Sequence, residues 1–272
     1  MEESKPLRYT PLSQAELEEL RFARSLLENP GLAARLSDTL GTPIEKGLKM
    51  LPQNWSGTLN TVVRKALNQA MDVAIKTVPN RPSSASNLAH KLAVGASGGI
   101  GGLFGLPALM IELPLSTTVM LRSIADIARS EGHDLGAMET RLQCLEVFAL
   151  GSQGAKKEGA ESSYWAVRTA LAQALREAAA HLTQRGTVQK TAPAMVRFVT
   201  AISSRFGVVV SEQAAAKAVP VIGAAAGALI NVMFMEHFQN MARGHFIIRR
   251  LEKRHGRGTV ESAYNSFIQN QS

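Results

Sequence analysis

Three observations predict an all-α fold, a multi-helix bundle around a central glycine- and alanine-rich apolar helical hairpin. Alanine and leucine dominate the apolar residues, and aromatic residues are only 5% of the chain. That mix loses little on entering a helix and lacks the β-branched and aromatic surface that strands use. Apolar residues recur at three- and four-residue spacing over most of the 272 residues. Two uncharged runs rich in small residues form the centre of the chain: 92–121, with Glu112 as its one charge, and 218–235.

Ser13-Gln14-Ala15-Glu16 has the form of a capping box. It opens a helix with Leu17, Leu20, Ala23 and Leu27 on one face, closed by Asn29-Pro30-Gly31. Pro30 begins a short helix through Leu40 that Gly41 stops, and Thr42-Pro43 supplies a cap and an N1 proline before a helix over 44–51. Val63, Leu67, Ala70, Met71, Ala74 and Ile75 mark a helix over about 59–78, followed by a polar break at 80–84. Residues 86–92 read as helix. Beyond the first uncharged run the helix continues through Ile124, Ile127 and Ala128 to a glycine cap at Gly132. Further helices are predicted over 138–150, 162–182, 193–205 and 212–218, with 206–210 the one stretch resembling a strand. A last long helix starts near Pro220 and reaches Arg254. The expected organisation is a helical extension over 1–40, a main helical domain over 41–256 and a tail over 257–272.

Composition narrows the function classes. At 45% hydrophobic residues the chain is in the globular range and below that of a polytopic membrane protein. The single Cys144 excludes an intramolecular disulfide and reads as a small core hydrophobe in a reducing compartment. The polar N-terminus carries no apolar h-region, so no signal peptide is expected and the cytoplasmic side is predicted. The net charge of +8 favours anionic partners. Much of it sits at Arg243, Arg249, Arg250, Lys253, Arg254 and Arg257, opposed locally by Glu252 alone. Arg249, Arg250, Lys253 and Arg254 are candidate contacts to anionic lipid on a terminal helix. The segment lacks the aromatic interleaving that nucleic-acid binding uses, so no nucleic acid is expected.

Residues 94–101 imitate a dinucleotide-binding fingerprint. That chemistry needs a strand before the glycines and an acidic ribose partner about 20 residues on. Here residues 86–92 read as helix, the following helix meets Pro107 within a few residues, no train of Val/Ile-rich strands exists, and no Tyr-x-x-x-Lys pair occurs at Tyr9, Tyr164 or Tyr264. No cofactor is expected. The spacing instead makes helix-packing ridges: Gly98 with Gly102, Gly101 with Gly105, and Gly223 with Gly227 and Asn231.

Residues 106–132 (Leu-Pro-Ala-Leu-Met-Ile-Glu-Leu-Pro-Leu-Ser-Thr-Thr-Val-Met-Leu-Arg and onward), 140–151 and the glycine-alanine block 219–231 closely resemble the EcsC-like bacterial proteins. The resemblance spans about residues 41–250. That family is named for a gene beside an ABC transporter, which implies a membrane surface or a transporter-associated membrane protein as partner. It implies no catalytic residues to carry over.

Glu112 is the sharpest single candidate, a carboxylate in an apolar run with Pro114 just beyond. A buried carboxylate must be paired or protonated. It is therefore a polar contact in an apolar groove, a proton-handling group, or the partner of a cation such as Lys217 or Arg122. Arg122 and Asp126 can pair at i,i+4. Asn231, Glu236 and His237 complete the candidate ligand or partner contacts. No metal site is expected: Glu236 and His237 point about 100° apart on a helix, and the one Glu-x-x-His, Glu252–His255, lies in the basic segment. Spanning of a bilayer is marginal, because Glu112, two prolines and six glycines interrupt the first run. The reading is a membrane-associated accessory protein, peripheral at the inner face of the membrane. The alternative is a hydrolase acting on a lipid or peptide with Glu112 in an apolar pocket.

Overall fold

A computed structural model describes residues 11–28, 31–76, 106–151, 163–185, 190–218 and 224–269. Among these residues there are ten helices and no strand: α1 (Gln14–Leu27), α2 (Leu32–Leu40), α3 (Ile44–Lys49), α4 (Trp55–Lys76), α5 (Leu106–Ser130), α6 (Met138–Leu150), α7 (Ser163–Arg185), α8 (Pro193–Ala218), α9 (Ala224–His255) and α10 (Arg257–Gln269). The chain is all-α.

Local signals account for several of the helix ends. Ser13 Oγ accepts from the Glu16 amide at 3.3 Å while Glu16 Oε2 accepts from the Ser13 amide at 2.9 Å. Gly41, Gly132 and Gly256 take φ of 62°, 83° and 77° just past the ends of α2, α5 and α9, where a side chain would be strained. The strand-like stretch 206–210 is instead the middle of a continuous α8, because Phe206, Val209 and Val210 are buried on one flank. Packing of that flank outweighs the modest strand preference of valine. Most of the expected tail is also helical. On α10, Val260 and Tyr264 are buried, and Tyr264 donates to Glu28 at 3.0 Å and meets Trp165 edge-on.

α9 is the axis of the bundle, 32 residues long and so about 48 Å from end to end. Close helix approaches occur at glycines in α3 and α9. A Cβ on Gly244 would come within 2.7 Å of Leu27 and 2.8 Å of the Ala23 carbonyl, so α1 lies against α9 at this point. A Cβ on Gly47 would overlap the Ala215 carbonyl, seating α3 on α8. Phe148, Phe206, Phe234 and Phe238 fill the space between α6, α8 and α9, with ring centroids 4.9–6.3 Å apart. Cys144 is buried beside them on α6, its thiol pushed up to about 12 by burial. Among the described residues one helix, Pro193–Ala218, is long and apolar enough to cross a membrane by length and composition, and half of its apolar stretch is buried in the bundle.

Candidate functional site

Two polar assemblies lie far apart along α9. The first is built around Glu112. Its Oε2 accepts from Lys217 Nζ at 3.0 Å, and the two side chains are only 7% and 4% exposed. Asn231 Nδ2 donates to Glu112 Oε1, and Gln213 Nε2 donates to Asn231 Oδ1 at 2.8 Å. Burial holds the Lys217 ammonium below its usual range, with the attraction of Glu112 opposing it. The pair with Lys217 is formed, and each carboxylate oxygen of Glu112 accepts one of these hydrogen bonds. Pro114 is buried inside α5, and Thr118 Oγ1 bonds its carbonyl at 2.9 Å.

The other predicted residues do not join this group. Asp126 pairs with Arg129 at 2.9 Å rather than with Arg122, because Arg129 shares its partly buried flank while Arg122 is exposed. Glu236 meets Arg35 of α2 at 2.8 Å. His237 turns to the other side, its Nε2 3.0 Å from the Gly151 carbonyl at the end of α6. Burial pushes His237 down to about 4, so the ring is neutral and Nε2–H donates. A Cβ on Gly151 would be 2.6 Å from that nitrogen, so the contact depends on glycine. Among the described residues no group of three or more His, Cys, Asp or Glu could hold a metal. Gly98, Gly101, Gly102, Gly105 and Gly223 lie outside the described residues; Gly227 is buried on α9, one turn before Asn231.

The basic cluster faces carboxylates of the bundle itself. Arg249 pairs with Glu139 and Glu252 at 3.1 and 3.4 Å, Arg250 with Glu19 and Glu131 at 3.1 and 3.4 Å, and Arg254 with Glu16 at 3.5 Å. Lys253 is exposed and has no partner among the described residues.

The second assembly is a cleft of about 710 Å³ between α6, α7 and the last turns of α9. Arg168 makes a bidentate pair with Glu252 at 2.8 and 2.9 Å, with side chains 5% and 8% exposed. The same guanidinium donates to Tyr164 Oη at 3.2 Å, which directs the tyrosine hydroxyl to donate to His245 Nδ1 at 3.1 Å. His245 then carries its proton on Nε2, 3.8 Å from Glu146 Oε2. Burial keeps His245 neutral and raises the Glu146 carboxyl above the usual carboxylate range. None of Glu146, Tyr164, Arg168 and His245 was predicted as a site residue. The available signal was helical spacing: Tyr164 and Arg168 at i,i+4, and His245, Arg249 and Glu252 along one stripe of α9.

The profile of the EcsC protein family matches residues 16–251. The chain belongs to the EcsC family. No curated protein and no solved structure matches it. The EcsC span takes in the capping-box glutamate of α1, the whole Glu112 network and the cleft as far as Leu251. It thus begins well before the 41–250 stretch that carried the resemblance, as the packing of α1 on α9 requires.

Proposed function

We propose that this EcsC-family chain is a membrane-associated accessory protein on the cytoplasmic side, meeting lipid through the end of the bundle that holds Glu112. The supporting observation is the contact among Glu112, Lys217 and Asn231. It brings together the start of α5, the end of α8 and the start of α9. The described parts of both uncharged runs therefore meet at the same pole. Exposed apolar side chains accompany these elements: Leu115 (57%) beside Glu112, Leu229 (43%) beside Asn231, and, by the helix α3 seated against Ala215, Leu48 on it and Met50 just past its end. The buried network neutralises the one charge of the first run inside the protein, so the pole offers apolar surface without a desolvated carboxylate. The basic cluster begins about 27 Å further along α9, and most of its charge is already paired.

Fractionation of cells tests this reading. The protein is expected in the membrane fraction and to stay there through a high-salt wash, because apolar contact is not screened. Flotation of the purified protein with lipid vesicles should reproduce the binding, and Leu115→Glu with Leu229→Glu should weaken it without loss of fold. A wholly soluble protein, or release by salt, overturns the proposal; vesicle binding that fails while cell membranes retain the chain would reassign the partner to a membrane protein.

A further inference from the structure

The cleft contains a buried carboxyl group that the described residues leave without a hydrogen-bond donor. Glu146 is 3% exposed and lines the cleft, yet it makes no hydrogen bond among the described residues. The neutral His245 Nε2 lies at 3.8 Å, beyond hydrogen-bond distance, and the Arg168 and Arg249 guanidinium groups act on Glu146 only through their charge, without a hydrogen bond or ion pair to it. His245 is itself fully buried and kept neutral by that burial; its Nδ1 is taken by the Tyr164 hydroxyl, and its Nε2 has no hydrogen-bond partner among the described residues. Most neighbouring charges at the cleft are matched. Arg168 is saturated by Glu252 and Tyr164, Arg249 by Glu139 and Glu252, and Asp134 accepts from the Gly136 amide at 2.7 Å. Arg176 and Lys253 line the rim, are exposed, and have no ion-pair partner among the described residues.

The unmatched groups are therefore a carboxyl on the floor and two cations at the mouth. A buried carboxyl without a donor is costly to maintain, and a ligand that supplies the donor removes that cost. The complement is a molecule with a hydrogen-bonding cation at one end and an anion at the other. We propose that the cleft between α6, α7 and α9 binds a small phosphorylated amine, its ammonium on Glu146 and its phosphate against Arg176 and Lys253. An ammonium gives the carboxylate the strongest hydrogen bond available to it, and guanidinium and ammonium groups at the mouth suit phosphate oxygens. A cleft of about 710 Å³ is the size of ligand pockets and leaves room for a further substituent on the phosphate. The same chemistry occurs in a free phosphoamine and in an ethanolamine lipid headgroup. The site lies about 30 Å along α9 from Asn231 and does not depend on the membrane reading.

Titration calorimetry of the full chain decides it, with phosphoethanolamine, ethanolamine and inorganic phosphate as probes. Phosphoethanolamine should bind at least about tenfold more tightly than either half alone. Glu146→Gln and the double change Arg176→Ala/Lys253→Ala should each weaken it by about tenfold or more; the rim pair is exposed, so that variant keeps its fold. Vesicles of phosphatidylcholine with and without phosphatidylethanolamine separate the sources. A gain with the ethanolamine lipid over phosphatidylcholine alone assigns a headgroup, and binding of the soluble compound without that gain assigns a free metabolite. The proposal is overturned if phosphoethanolamine does not bind, if phosphate alone binds equally well, or if both variants leave its affinity unchanged.

Discussion

Lys217→Met should be among the most damaging single substitutions in this protein. The Lys217 and Glu112 side chains are 4% and 7% exposed, so the pair is shielded from solvent. Removing the ammonium strands a carboxylate whose remaining donor is Asn231. Breaking a buried pair from one side costs about 3–5 kcal/mol. The pair as a whole contributes far less, because burial depresses the Lys217 ammonium more than Glu112 restores it. The double variant Glu112→Gln/Lys217→Met removes both charges, keeps an acceptor for Asn231 and retains most of the volume. Its expected loss is about 1 kcal/mol, about 2–4 kcal/mol less than that of Lys217→Met alone. Urea unfolding at neutral pH followed by far-ultraviolet circular dichroism measures all the corners of this cycle. If Lys217→Met costs less than about 1 kcal/mol, or the double variant is as unstable as the single, the network is not the buried ion pair described above.

Two further outcomes follow from the packing. His237 titrates near 4 in the fold against 6.5 ordinarily, so the unfolded chain binds the extra proton between those values. Its stabilising contribution is complete above pH 6.5 and falls by about 3 kcal/mol as the pH drops to 4. His237→Gln keeps a donor for Gly151 and should flatten the stability profile by that amount; an unchanged profile would refute the assignment. Gly47→Ala would force a Cβ into the Ala215 carbonyl and should cost about 2 kcal/mol or more. Gly57→Ala meets open space within α4 and should gain up to about 1 kcal/mol. Thermal melts showing the reverse order would contradict the seating of α3 on α8.

The helices were legible where their ends are written locally. The capping box at Ser13, the left-handed glycine after α5 and the span of α6 came from a few adjacent residues. The errors fall where distant packing decides. Residues 206–210, the one stretch resembling a strand, fall between two predicted helices and 257–272 in the expected tail, whereas Phe206, Val209 and Val210 are buried within a continuous α8 and Val260 and Tyr264 on α10. At the site, a lone carboxylate in an apolar run pointed to a cation, and Lys217 was one of two named. Gln213 was missed because nothing in α8 marks it as facing Asn231. The cleft was missed for the same reason on a larger scale, since Glu146, Arg168 and Glu252 come from three helices.

What the amino-acid sequence determined by itself is the all-α class, most helix boundaries and the need of Glu112 for a partner. Each depends on residues within a turn or two, where hydrogen bonding, capping and apolar periodicity are set by near neighbours. The tertiary structure alone decided that Arg249, Arg250 and Arg254 face carboxylates on other helices, that Gly47, Gly151 and Gly244 are points of close approach, and that Glu146 and His245 meet unsatisfied at a cleft. These depend on which helix flanks face one another, a long-range outcome of packing the whole core that no local spacing encodes.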